Sequence, residues 1–344
     1  MAKRKNSTRR RLDRERAAQS ERKDYEYHLP VMLDECCDWL ITDRNGLYAD
    51  GTLGGGGHTA EILKRLDVGG RLISFDADPV AIQHCTARFS DELAKGDESR
   101  LVLRNANFFE ACSTEEIHLR KVNGLLLDLG VSSRQLDTEH RGFSYRVNTR
   151  LDMRFGTDGR SAEEIINAAE EDELERILRN YGEEPFARAI ARRIVERRRA
   201  VPLQTTQDLR FIVEETTPQS THAKTLARVF QAIRIAVNRE LEILEGTLRG
   251  IIPLLAPHGR IVVMSYHSLE DRIVKTVFKE ESEKDFKNAE KQPLLKILTP
   301  KPILPSEKEI QENPRARSAK LRVAERTSPE DAPVFKKKAK FQDE

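Results

Sequence analysis

The chain has no apolar run of about 18 residues, the length a helix needs to cross a bilayer. Its apolar stretches, such as Ile261 to Met264, are only as long as a strand. This excludes a membrane-spanning helix, and no membrane partner is expected. Cysteine is scarce: Cys36, Cys37, Cys85 and Cys112 are the four in the chain. None forms C-x-x-C, and adjacent Cys36 and Cys37 lack the usual zinc-ligand spacing, so no metal is expected. Reduced thiols in a cytoplasmic protein are the expectation. A strong excess of one charge is also missing. The net charge is +2 over 344 residues, so composition as a whole does not announce a polyanionic partner. The N-terminus has no apolar core of the kind a secretory signal carries.

What is present is unevenly distributed. "MAKRKNSTRRRLDRERAAQSERK" is dense in Arg and Lys, with only Asp13, Glu15 and Glu21 against them. It has no apolar periodicity, which predicts a disordered basic arm over 1–24. A solubilising tail and a nucleic-acid-binding arm are equally compatible with it. The C-terminal 329–344, ending "KKKAKFQDE", reads as a second tail.

Between the tails, "GLYAD" (46–50), "GRLISFD" (70–76), "SRLVLRN" (99–105), "NGLLLDLG" (123–130) and "GRIVVMS" (259–265) are short apolar runs ending in polar residues. Their apolar residues are continuous rather than alternating, as in strands buried on both faces. Helical patterns lie between them. After Asp76, Asp78 stands as N-cap and Pro79 at the first helical position. Strands alternating with helices predict a parallel α/β sheet. The fifth strand then starts roughly 130 residues after the fourth, far more than a crossover requires. The intervening sequence is helical and opens with Ser161 and Glu164, a capping-box pair. This predicts an inserted all-helical subdomain at 140–225, with the sheet domain at 25–139 and 226–328. "LLKILTP" and "AKLRVAERT" read as two final strands.

The stretch "YADGTLGGGGHTAEIL" (48–63) places four glycines between a buried strand and a helix N-terminus, where backbone approaches a ligand closely. A P-loop needs Lys-Ser/Thr after its last glycine; here His58-Thr59 follows. A dinucleotide site places pyrophosphate at the helix end, and the Asp50 carboxylate beside it is repulsive. S-adenosylmethionine has no phosphate and carries an ammonium and a sulfonium, so an acid ending the first strand favours its methionine end. Asp76, ending the second strand, is placed to accept both ribose hydroxyls, a device NAD sites share. Phe108 follows the third strand, where an adenine would lie; stacking and core packing are both open to it.

Taken together, "HLPVMLDE", "DGTLGGGGHT", "FDADP", "LLLDLGVSSRQLD", "RGFSYR", "LDMRF", "YGEEPFARAIARRIV", "RVFQAIRIAVNREL" and "SYHSLEDRIVK" resemble the RsmH (MraW) family over about residues 25–327. These are bacterial methyltransferases that modify N4 of a cytidine in 16S ribosomal RNA. The resemblance implies a class I S-adenosylmethionine-dependent methyltransferase fold, a Rossmann-like, mostly parallel seven-stranded sheet with the helical insertion. It implies cofactor contacts at Gly56, Gly57, His58, Asp76, Phe108, Asp128 and Gln135. It implies a decoding-centre cytidine of the small ribosomal subunit as target.

The acceptor should lie at the C-terminal ends of the fourth and fifth strands. Asp128, Ser132 and Ser133 fall on one side, and Ser265, His267 and Ser268 on the other. Asp128 is the first candidate for orienting the amine, and His267 the second, as hydrogen-bond partner or proton relay. Asp152 and Arg154 are weaker candidates. Arg188, Arg192, Arg193, Arg197, Arg198 and Arg199 offer phosphate contacts near the pocket mouth. The competing readings are a dinucleotide oxidoreductase and a non-catalytic S-adenosylmethionine-binding ribosome-assembly or RNA-binding factor.

Overall fold

A computed structural model describes residues 30–130, 141–283 and 292–328. The two terminal tails, Gln135, Ser132 and Ser133 lie outside the described residues. Seven strands form one sheet: β1 (Leu47–Asp50), β2 (Arg71–Asp76), β3 (Leu101–Asn105), β4 (Val122–Asp128), β5 (Leu255–Ser265), β6 (Leu295–Ile297) and β7 (Lys320–Arg326). Their order is β3-β2-β1-β4-β5-β7-β6. All pairings from β3 through β5 are parallel, whereas β7 runs antiparallel to both β5 and β6. This is the class I methyltransferase sheet. The chain winds outward from β1 in one direction and from β4 in the other, so a crevice opens beyond their carboxyl ends.

The continuous apolar strands follow from burial on both faces. Leu47, Ala49, Ile73, Phe75, Leu125, Leu127, Ile261 and Val263 face one apolar cluster. Their neighbours Tyr48, Leu72, Leu126, Val262 and Met264 face another. Helices α1 (Leu33–Leu40) and α2 (Gly57–Arg65) cover the second face with Cys36, Cys37, Leu40 and Ile62. Helix α3 (Pro79–Arg88) follows β2, and Asp78 accepts the Val80 N–H as the expected N-cap. The short α4 (Glu115–Arg120) precedes β4. All four cysteines are free. Burial pushes the Cys37 and Cys85 thiols up to about 12, which leaves them protonated and unreactive.

The insertion has a core of its own. Helices α5 (Ala162–Ala168), α6 (Glu171–Gly182), α7 (Ala187–Arg198), α8 (Thr206–Thr216) and α9 (His222–Asn238) pack around Ile166, Leu178, Ile190, Val213 and Ile233. Ser161 and Glu164 form the expected capping box on α5. The boundary expected at 225 falls at the start of α9, and α9 packs with the insertion through Leu226, Val229, Phe230 and Ile233. The break comes instead at Arg239, whose φ of 50° ends α9 and starts α10 (Glu240–Ile251). Helix α10 returns to the sheet through Leu244, Leu248 and Ile251, beside α11 (Ser268–Ser282), which contributes Val274, Val277 and Phe278. Asn238 ties the end of α9 to the start of the insertion: its side chain accepts from the Phe155 N–H at 2.8 Å and donates to the Met153 carbonyl at 2.7 Å. No helix among the described residues is long and apolar enough to cross a membrane.

Candidate active site

A cavity of about 580 Å³ opens at the β1/β4 switch point and runs from the glycine loop to the insertion. Its floor is built by the loop between β1 and α2. Gly57 lies so close to the N-terminal segment that a Cβ on it would sit 2.3 Å from Pro30 Cγ. Gly56 takes φ 77°, and a Cβ there would meet Phe89 and the Cys85 sulfur at 2.8–3.0 Å. Gly57 and His58 line the cavity, but Gly56 does not. Gly56 shapes the turn into α2 from beneath, where only a residue without a Cβ fits.

Asp50 departs from its expected place. It is fully buried and does not line the cavity. Its carboxylate accepts the Thr59 hydroxyl at 2.7 Å and the Thr52 N–H at 3.0 Å. Asp50 thus braces the loop from below. Burial raises its pKa, and nearby His58 opposes this.

Asp76 stands at the wall with one oxygen on the Gly54 N–H and the other on the Asp78 N–H, both at 2.8 Å. Each carboxylate oxygen has a second lone pair, so both can still accept ribose hydroxyls. Burial pushes its pKa up to about 6, although the two N–H donors pull the other way. Phe108 lines the cavity from the turn after β3 and packs against the sheet core. Position alone left stacking and packing open; the side chain is placed for both.

Asp128 closes the floor at the end of β4. Its N–H donates to the Thr52 hydroxyl at 2.7 Å, which ties β4 to the glycine loop. Its Oδ1 accepts the Tyr266 hydroxyl at 2.8 Å, and Oδ2 lies 3.7 Å from His58 Nδ1. The other ring nitrogen of His58 is 3.2 Å from the Val31 carbonyl, to which Nε2–H donates. Burial raises the Asp128 pKa to about 6, moderated by His58 and by the Tyr266 hydroxyl.

His267 begins α11 as its N-cap, in a capping box with Glu270. The Glu270 N–H donates to Nδ1 at 3.3 Å. Nε2 lies 3.1 Å from Glu270 Oε1 but off the N–H line, and it is buried without a hydrogen bond among the described residues. A relay needs both ring nitrogens, and Nδ1 is committed to the backbone, so the relay role expected for His267 is not supported. One ligand atom each from Glu240, His267 and Glu270 lie within 4.8 Å of one another. Arg234 occupies both oxygens of Glu240, at 2.9 and 3.0 Å, and the cluster reads as an ion-paired network.

Other expected residues lie elsewhere. Ser265 is buried against β7, and its hydroxyl faces the Lys320 carbonyl at 3.4 Å. Ser268 donates to Glu183 at 3.0 Å. Asp152 and Arg154 pair with each other at 2.7 Å and do not line the cavity. None of the six arginines of 188–199 lines it either. Arg193 pairs with Glu215 at 2.9 Å, and Arg198 donates to the Ile166 carbonyl at 2.6 Å.

Sequence reasoning missed Tyr266, whose signal was its position one residue beyond β5. Gly130, at φ 106°, makes room for its ring: a Cβ there would lie 3.3 Å from Tyr266 Cδ2. It also missed the aromatic end of the cavity. Phe143 stacks on Phe155 at 5.7 Å and 16°, and Tyr145 meets Phe230 edge-on at 5.6 Å. All four line the cavity.

The model of the MraW methylase family matches residues 25–327. The chain belongs to the MraW methylase family. Solved structures of lower likeness include an rRNA methylase from Streptococcus thermophilus, at 12% identity and TM-score 0.39, covering 86% of this chain and 94% of that one. A Streptococcus mutans protein in complex with S-adenosylhomocysteine has 13% identity and TM-score 0.35, over 86% and 94% of the two chains. The N-methyltransferase NodS from Bradyrhizobium japonicum has 9% identity and TM-score 0.38, over the same shares. The methylase family and its sheet identify S-adenosylmethionine as the cofactor. The residues present fit it: the Cβ-free approach at Gly57, the spare lone pairs of Asp76 and the ring of Phe108 suit methionine, ribose and adenine in turn.

Proposed function

We propose that this MraW-family methylase transfers a methyl group to the exocyclic N4 of a cytidine in the decoding centre, the P site, of 16S ribosomal RNA. The observation that carries this reading is the single cavity joining Asp76 and the glycine loop to Asp128, Tyr266 and an aromatic pocket. A base removed from its stack needs an apolar slot with a polar end. Phe143, Tyr145 and Phe230 offer the slot and Asp128 the polar end.

When bound, S-adenosylmethionine supplies the methyl group on a sulfonium, a good leaving group. The cytosine amine is a weak nucleophile because its lone pair is delocalised into the ring. The protein's task is therefore alignment, which can contribute several kcal/mol, about 7–11 in the best intramolecular cases. Asp128 Oδ1 is held by Tyr266, so Oδ2 is left to accept an N4 hydrogen and aim the lone pair at the methyl. Asp128 then takes the proton released as the N–C bond forms, with His58 Nδ1 3.7 Å from its Oδ2.

The arginines of α7 are proposed as phosphate contacts on the insertion, set back from the cavity. Incubating the protein with methyl-labelled S-adenosylmethionine and small subunits, or their free RNA, tests the reading. Label in the RNA is expected. Tight RNA and cofactor binding with no label in either substrate points to the non-catalytic assembly factor instead.

A further inference from the structure

The methionine end of S-adenosylmethionine is a zwitterion, and the residues described so far answer only its positive half. Asp76 and Asp128 line the cavity and Asp50 lies beneath the loop. These carboxylates suit the ammonium and the sulfonium but repel the cofactor's own carboxylate. The glycine loop brings no free cation: between Gly51 and Thr59 the one basic side chain is His58, whose Nε2–H is spent on the Val31 carbonyl. Three arginines among the described residues line the cavity, Arg88, Arg234 and Arg315. Arg234 spends Nε and Nη2 on Glu240. Arg88, the last residue of α3, is fixed to the loop itself: its Nη1 donates to the Gly55 carbonyl at 2.6 Å. Its guanidinium carbon lies 5.5 Å from the centroid of the Phe89 ring, the ring that fills the space beneath Gly56. Neither contact is with an acid, and no carboxylate lies within 4.0 Å of Arg88 among the described residues. An exposed, uncompensated charge is thus held beside the glycine loop. With Nη1 on Gly55, the Nε–Nη2 edge is left over, the fork that matches a carboxylate bidentately.

We infer that Arg88 is a cofactor-binding residue whose guanidinium pairs with the α-carboxylate on the methionine end of S-adenosylmethionine. The Gly55 carbonyl and the Phe89 ring set the group in place before the ligand arrives, which reduces the ordering cost of the ion pair. Both halves of the zwitterion are then answered, the cations by the strand-end acids and the carboxylate by Arg88. The inference concerns the cofactor alone and holds whichever nucleotide receives the methyl group.

The test removes the charge from the protein and from the ligand in turn. Calorimetry measures the affinity of the full-length protein for S-adenosylmethionine and for its decarboxylated analogue, with Tm in parallel. The wild type is expected to bind the analogue about 10- to 100-fold more weakly, the effect of a charged hydrogen-bonded pair. Arg88→Met keeps the stem but not the charge. It is expected to lose a similar factor for S-adenosylmethionine, to bind the analogue within about twofold of wild type, and so to tell the two ligands apart hardly at all. Arg88→Gln retains an N–H for the Gly55 carbonyl without the charge, which separates bracing of the loop from pairing with the ligand; it should behave as the Met variant does. An equal loss for both ligands in either variant shows that Arg88 only braces the loop and overturns the inference. So does a wild type that binds the two ligands alike, or a variant that keeps the wild-type preference. Should Arg88→Met melt far below wild type, the Gln variant and the wild-type preference decide on the same terms.

Discussion

Replacing Tyr266 by Phe removes one atom from the site. The ring keeps its place over Gly130, but Asp128 Oδ1 loses the hydroxyl that donates to it at 2.8 Å. That bond favours the carboxylate over the acid. A hydrogen bond to a charged group contributes ~1.5–3 kcal/mol. One pKa unit corresponds to ~1.4 kcal/mol, so the Asp128 pKa should rise by roughly one to two units. It starts at about 6. At pH 7 the ionised fraction then falls from about nine-tenths to somewhere between roughly a half and a tenth. Only the carboxylate can take the proton that N4 releases, so activity rises with pH through this pKa. The acid limb of the single-turnover rate should move from about pH 6 to between about 7 and 8, with rates converging at high pH. An acid limb that stays in place, with the variant folded and binding cofactor, refutes the role assigned to Asp128.

Other outcomes follow from the same geometry. Asp76→Asn should weaken cofactor binding by about 10- to 100-fold in calorimetry, because an amide cannot accept from both ribose hydroxyls while holding Gly54 and Asp78; an affinity within twofold of wild type contradicts this. Gly57→Ala forces a Cβ against Pro30 and should cost ~1–3 kcal/mol of stability, read as a lower Tm together with weaker cofactor binding; an unchanged Tm contradicts the close approach. Reversing Arg192 and Arg193 to Glu should weaken RNA binding and flatten its salt dependence while sparing cofactor affinity; equal loss of both would sink the phosphate-contact role. In the ligand-free protein, the raised pKa values of Asp76 and Asp128 keep protons on the folded state that the unfolded chain releases near pH 4. Their contribution to stability is therefore present at low pH and is lost as pH rises through about 6. Denaturant melts of the Asp76→Asn, Asp128→Asn double variant should lose less stability than wild type between pH 4 and 7.

Features decided by local chemistry were legible in the chain. Asp78-Pro79 and Ser161 with Glu164 sit where helix caps are needed, and the structure uses them so. The strands were visible because both sheet faces are buried, and the missing Lys-Ser/Thr pair excluded a P-loop. What failed depended on backbone conformation or long-range contact. The run from Thr225 to Leu255 reads as one helical pattern because no Gly or Pro marks the break at Arg239, which takes a left-handed conformation. Adjacent glycines looked equivalent, yet Gly54, Gly55 and Gly57 line the cavity while Gly56 turns under Phe89. Asp50 was placed against the cofactor on charge alone; its hydroxyl partners Thr52 and Thr59 bury it beneath the loop. The Tyr266–Asp128 bond joins residues 138 apart, and no spacing rule reaches that far.

The chemical identity of the product tests the central proposal most directly. RNA methylated by the protein with isotope-labelled S-adenosylmethionine is digested to nucleosides and resolved by mass spectrometry, and the labelled position is mapped by fragmentation. N4-methylcytidine at a single decoding-centre position of 16S ribosomal RNA is the predicted result. Label on a ring carbon, on a ribose hydroxyl or on another base would contradict it.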